Sequence, residues 1–310
     1  MSSPYLMMPS SIIKSFSPKS YLSIPMAEIN LDKILITGSG GMVGSYIDFG
    51  IKTNKEILDI TDFDAVQKFV ADTNPRAILH LAAETDMGAC EENPERAYFI
   101  NSIGTYNVAC AAKQAGAKMV YVSTNAVFDR LDNGPFRESD TPFAKSVYGK
   151  SKHMGELAVR GISDDYFIIL TSWIFGGGPT RDKKFVRKII DQLSREGTKE
   201  IRAASDQIGS PTFGKDVVGA IKALLGKGAV GVFHIVNSGS ASRLEMAEEI
   251  IKTLGSNANA IPVDISFFNP DATGGDESLL SLKYPMRPWQ EALKEYLESE
   301  WREADVFLQK

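Results

Sequence analysis

The chain has 310 residues and a formal net charge of −5, enough for one large domain or two smaller ones. That acidic balance speaks against nucleic acid or an anionic membrane surface as the main partner. Two cysteines, Cys90 and Cys110, fit neither a zinc framework nor a disulfide scaffold, and reduced thiols point to the cytoplasm.

Residues 1–31 are rich in Ser and Pro, contain no arginine and hold no acid before Glu28. They read as an extension: a disordered tail, a targeting-like segment, or the result of an early start with Met26 as the true one. No apolar run approaches the ~20 residues of a membrane-spanning helix. From Lys33 the pattern is regular. KILITG is apolar and β-branched and stops at glycines, as a buried parallel strand does. DITDFDAVQKFVADTNP opens with capping residues, sets Ala65, Val66, Phe69 and Val70 on one face and stops at Pro75. RAILHLAAE is the next strand, followed by one long helix over 94–117 that Gly116 ends. KMVYVST is a third buried strand, the segment around Tyr148 a helix, and YFIILTSWIF a strand. This alternation predicts an α/β, Rossmann-like, doubly wound and mainly parallel sheet with helices on both faces. FVRKIIDQLSRE, KDVVGAIKALLG and SRLEMAEEIIKTLG are helical, the last with a capping box at Ser242 and Glu245.

Three motifs carry chemistry. ITGSGGMVGS places Gly38, Gly41 and Gly44 between the first strand and an expected helix, where absent side chains and a helix N-terminus suit a diphosphate. A glycine-rich turn without a ligand is the bland reading. STNAVFD leaves the end of the third strand, the edge at which open α/β sheets bind ligands, though its hydroxyls could simply cap a turn. In SVYGKSKHMGE, Tyr148 and Lys152 share a helix face one turn apart. Such a pair occurs by chance, but an ammonium beside a phenol favours the phenolate and brings its pKa toward the working range.

Together, a glycine loop, a Ser-Thr pair at a strand end and Tyr-x-x-x-Lys resemble the extended short-chain dehydrogenase/reductase family. ILDITDFDAV, ILHLAAET, STNAVFD, SVYGKSKHMGE, LTSWIFGGG and SDQIGSPTFGKD resemble the dTDP-4-dehydrorhamnose reductases in particular. The resemblance implies a single domain over 32–310, with a cofactor core mainly over 32–172 and a smaller substrate lobe mainly over 173–310. It implies hydride transfer from NADPH or NADH to the C4 ketone of a deoxythymidine-diphosphate sugar, and a possible homodimer. Tyr148 would donate the proton, Lys152 would tune it and anchor the ribose, and Thr124 would hydrogen-bond the carbonyl oxygen. Gly38, Gly41, Met42, Val43 and Gly44 would meet the diphosphate, Asp59 and Ile60 the adenosine, and Leu81, Ala82 and Ala83 the cofactor. Asn125, Trp173 and the loop of Gly209, Pro211 and Thr212 would join Thr124 and Tyr148 around the sugar nucleotide.

The chain also departs from that family. Only fourteen residues separate Gly44 from Asp59, too few for a full helix and strand, so the usual discriminator between NADH and NADPH looks deleted. Asn125 and Gly88 stand where acids are common. DATGGDESLLSLKY, at the place of an arginine-bearing substrate loop, has no arginine. Two other readings stay open: a sugar-nucleotide epimerase or dehydratase, and a non-catalytic regulatory subunit of the methionine adenosyltransferase beta type. His80 and His234 read as core, His153 has no expected role, and no residues stand at metal-ligand spacing. Arg181, Lys183 and Lys184 read as solvated surface, with phosphate contact as the alternative.

Overall fold

The strands read from apolar runs form the centre of the molecule. The computed structural model describes residues 30–128 and 134–302. The expected extension lies outside the described residues except for Asn30 and Leu31. In chain order come β1 (Ile34–Thr37), β2 (Ile51–Lys52), β3 (Ala77–His80), β4 (Lys118–Thr124), β5 (Tyr166–Thr171) and β6 (Ile174–Phe175). Then follow β7 (Glu200–Ala204), β8 (Gln207–Gly209), β9 (Thr212–Phe213), β10 (Gly231–His234), β11 (Ala241–Ser242), β12 (Asn259–Val263) and β13 (Gly275–Asp276).

Six of these make one sheet in the order β10-β5-β4-β3-β1-β2, with every pairing parallel. Successive side chains of a strand point to opposite faces. Leu35, Ile78, Met119 and Ile168 therefore pack with Val66, Val70, Val108 and Val159 of the helices on one side. Ile34, Ile36, Leu79 and Phe167 pack with Val217, Ile221 and Leu224 on the other. This is the doubly wound fold expected from the alternation. A third core, around Phe175, Ile190, Phe213, Ile250, Leu293 and Trp301, forms the second lobe, with β6–β9, β7–β12 and β11–β8–β13 as small sheets. The chain returns to the main sheet for helix Gly214–Gly226 and β10, so that segment of the expected range 173–310 packs with the main sheet.

Local signals set the helix ends. Asp62 accepts from Ala65 N at 3.0 Å to start helix Phe63–Thr73, which buries Val66 and Val70 and half-buries Ala65 and Phe69. The Ser242–Glu245 capping box forms in both directions. Three expectations are corrected. The glycine loop leads into a single 3-10 turn, Val43–Tyr46, and no full helix follows. The fourteen residues 45–58 hold only the end of that turn and a two-residue β2, so the helix is what has been lost and the strand survives. The long helix over 94–117 is interrupted by a π-helical turn at Phe99–Gly104. YFIILTSWIF breaks at Trp173, whose φ of +39° sends Ile174–Phe175 to pair with β9.

Candidate active site

Beyond the C-terminal ends of the strands lies a cleft of about 1330 Å³, lined from both lobes. The glycine loop forms one wall. A Cβ at Gly38 would lie 2.5 Å from Ala82 N, and one at Gly44 2.3 Å from Ser39 O, so backbone packing demands glycine at both. At Gly41 nothing is nearer than the Gly38 carbonyl oxygen at 3.5 Å, and that side of the loop is open. Gly38, Gly41, Met42, Val43 and Gly44 line the cleft with Asp59, Ile60, Leu81, Ala82 and Ala83. Asp59 Oδ1 accepts from Thr61 N at 3.0 Å and Thr61 Oγ1 at 2.6 Å, which holds its carboxyl below the ordinary range. The end of β2 adds Asn54, Lys55 and Glu56 to the lining.

The opposite wall comes from helix Val147–Ile162. Its cap, Ser146, accepts from Gly149 N at 3.1 Å. A Cβ at Gly149 would fall 2.2 Å from Ala126 O, so glycine lets this first turn close onto the segment after β4. Tyr148 is thereby brought beside Thr124, whose hydroxyl favours the phenolate. Burial pushes the Tyr148 phenol up to about 12, opposed by that hydroxyl. Lys152, 3% exposed, donates from Nζ to Val122 O at 2.8 Å and lies 4.3 Å from the Tyr121 ring centroid. Burial brings its ammonium down to about 7, against the opposing pull of Glu156. The expected lowering of the phenol by the lysine is not met in this geometry. The ammonium is aimed at Val122, and desolvation of the phenolate dominates. The phenol therefore stays protonated at neutral pH, the state a proton donor requires.

Residues that sequence reasoning passed over support this wall. Asn101 sits in the π-helical turn, fully buried, and donates to Ser151 Oγ and Glu84 O at 3.0 Å each. A turn widened by one residue is a frequent device at functional sites. Glu156 accepts from Ser123 Oγ at 2.6 Å and faces His153 Nδ1 at 3.3 Å. His80 is held between Thr37 Oγ1 at 2.6 Å and Thr105 Oγ1 at 3.1 Å, and His234 Nδ1 lies 3.1 Å from Leu280 O. Among the described residues no His, Cys, Asp and Glu group could hold a metal ion.

Toward the second lobe, Thr124, Asn125, Tyr148 and Trp173 all line the cleft. Asn125 Nδ2 donates to Glu277 O at 3.3 Å, and Trp173 Nε1 to Glu277 Oε1 at 2.6 Å. Gly209, Pro211 and Thr212 are buried and stand outside the lining. They back the indole: a Cβ at Gly209 would lie 2.2 Å from Trp173 Cε2, and Thr212 N donates to Trp173 O at 3.3 Å. Their contacts here are with Trp173. Lys183 and Lys184 reach the cleft, whereas Arg181 donates to Gly40 O and ties the lobes together.

A dinucleotide fits these residues. The open side of Gly41 leaves room for a diphosphate at the backbone. Thr171 and Ser172 stand in the cleft wall, their hydroxyl oxygens buried and without partners among the described residues.

The model of the family described as the RmlD substrate binding domain matches residues 32–301. The chain is 33% identical over 282 residues to the Bacillus subtilis spore coat polysaccharide biosynthesis protein SpsK, covering 86% of this chain and 98% of that protein. It is 32% identical to the dTDP-4-dehydrorhamnose reductase of Mycolicibacterium smegmatis, covering 86% of each chain. The crystal structure of dTDP-4-dehydrorhamnose reductase from Bacillus anthracis, in complex with NADP, superposes with a TM-score of 0.79 at 32% identity, covering 86% of this chain and 99% of that one. With the family model matched over nearly the whole of both lobes and the cleft they share, this chain belongs to the dTDP-4-dehydrorhamnose reductase family.

Proposed function

We propose that this protein reduces the C4 ketone of a nucleotide-activated deoxysugar, converting dTDP-4-dehydro-L-rhamnose to dTDP-L-rhamnose with NADPH. The observation that carries the reading is a buried, protonated Tyr148 beside Thr124 in a cleft whose other wall is the glycine loop. A reduced nicotinamide, when bound, supplies the hydride. Tyr148 gives its proton to the sugar oxygen as the carbonyl π pair closes onto it, and the phenolate then recovers a proton from solvent. Thr124 hydrogen-bonds the same oxygen and fixes the distance of transfer. Lys152, one turn along the same helix and lining the cleft, would hold the ribose of the cofactor. Asn101 and Ser151 hold the catalytic helix in register.

NADPH is favoured over NADH by Lys55, a cationic side chain at the end of β2, and by the engagement of the Asp59 carboxylate with Thr61. The relative from Bacillus anthracis was solved with NADP. For quaternary structure we favour a homodimer. Phe99, Ile103 and Tyr106 of one helical stretch and Met154 and Leu157 of another, packed against it, are all at least 45% exposed, an apolar surface that association would cover. A cytoplasmic location suits the two free thiols. The epimerase or dehydratase reading and the regulatory-subunit reading lack any observation of their own.

The test is oxidation of NADPH by the purified protein given dTDP-4-dehydro-L-rhamnose, beside Tyr148→Phe. The variant should lose about 10³-fold in kcat while binding NADPH as the wild type does. Cofactor binding without turnover in the wild type would remove the substrate assignment. Absence of cofactor binding would remove the reductase reading and favour the regulatory subunit.

A further inference from the structure

Among the side chains that line the cleft, Arg243 has no part in the chemistry above, and its setting is unusual. It is the first residue of helix Arg243–Leu254, locked in place by the Ser242 cap and by the pairing of β11 with β8. Its guanidinium carbon lies 3.3 Å from the Trp173 ring centroid and 4.9 Å from that of Phe185, so the planar group is held between two aromatic side chains. Trp173 is itself fixed by Glu277 on its Nε1 edge and by Gly209 behind it. Nε is 3.5 Å from Gln207 Oε1, and among the described residues Nη1 and Nη2 donate to no protein group. They are not occluded either, since Arg243 forms part of the cleft wall. Burial lowers its pKa to about 10, the near Glu277 opposing, so the charge persists at neutral pH.

A cation stripped of part of its water, kept planar and stacked, with two donors left over, is a receptor for an oxyanion that it can grip in two places. Lys183, Lys184 and Lys188 line the same cleft, with Asp86 near Lys184 and Lys188 and Glu277 near Arg243. We propose that Arg243 is the residue that binds the diphosphate of the sugar nucleotide. The inference rests on the function proposed above. It gives the substrate an anchor from the start of a helix, in a chain whose segment 271–284 contains no arginine. Stacking on Trp173 would also join the diphosphate site to the indole that faces the sugar, so binding at one end would fix the orientation at the other.

Binding of thymidine 5′-diphosphate and of thymidine to the full-length protein, measured by calorimetry, tests this without requiring turnover. Arg243→Gln should weaken thymidine 5′-diphosphate about 30-fold and leave thymidine and NADPH within about twofold, as expected for loss of a charge-assisted bidentate contact. Arg243→Lys, which keeps the charge and the bulk but not the fork, should fall between the two and serves as the folding control. Equal binding of the diphosphate by wild type and Arg243→Gln would overturn the proposal. So would a large loss on Lys183→Ala or Lys184→Ala with none at Arg243, which would pass the anion to the lysines. If the wild type fails to reduce dTDP-4-dehydro-L-rhamnose yet Arg243→Gln still loses the diphosphate, the function fails while the anion site stands.

Discussion

Lys152 offers a quantitative test, because the position proposed to serve the reaction carries a cost to folding. Its ammonium is 3% exposed, and burial brings its pKa from 10.5 to about 7. At about 1.4 kcal/mol per pH unit this corresponds to roughly 5 kcal/mol against the charged form in the folded state. The unfolded chain, with its lysine near 10.5, binds more protons than the native state between pH 7 and 10.5. Stability from this group therefore rises with pH across that window, and falls as pH drops toward 7. Lys152→Met keeps the length and removes the charge. It gives up the bond to Val122 O, worth about 1 kcal/mol. The variant should then be about 3 kcal/mol more stable than wild type at pH 7, with the difference shrinking to under about 1 kcal/mol by pH 10. Urea denaturation of both proteins at pH 7, 8.5 and 10, followed by far-UV circular dichroism, measures the pair of curves. A variant less stable than wild type at pH 7, or a gap that does not change with pH, would refute the reasoning. The same variant should lose turnover, a trade of activity for stability at a single buried site.

Two further expectations concern the cofactor wall. Gly44→Ala should destabilise the fold and lose NADPH, because its Cβ would sit 2.3 Å from Ser39 O, while Gly41→Ala should melt as wild type does and bind NADPH about tenfold more weakly. Fluorescence titration with NADPH beside thermal melts separates the two, and unchanged binding in Gly41→Ala would move the diphosphate away from the loop. Lys55→Ala should lower kcat/KM for NADPH about tenfold and leave NADH unchanged; a loss shared by both cofactors would mean that Lys55 does not read the 2′-phosphate.

How far the sequence reaches can be judged element by element. Its own residues determine β1, β3, β4 and β5, because runs such as Ile34–Thr37 and Ala77–His80 are apolar on both faces and can rest only between two helix layers. They also determine the starts of the helices at Asp62, Ser146 and Ser242, where a side chain satisfies a backbone N–H within the same turn. The glycine loop, the Ser-Thr strand end and Tyr148 with Lys152 were legible for the same reason, being short motifs whose spacing is local. Tertiary structure decided the rest. That the fourteen residues after Gly44 would keep β2 and give up the helix depends on β1 having an edge to pair with. The π-helical turn at Asn101 depends on Glu84 and Ser151, 17 and 50 residues away. Thr212 meets Trp173 because β9 pairs with β6, and Gly209 packs behind its indole from β8. The Lys152 ammonium turns to Val122 and the Tyr148 phenol rises because burial, a property of the whole fold, outweighs one neighbouring charge. Arg243 looks like any helix-surface arginine until Trp173 and Phe185 close on it from 70 and 58 residues away. Spacing within a turn or strand fixes which groups can act together, but desolvation and long-range contact fix their charge and direction, and no local pattern encodes those.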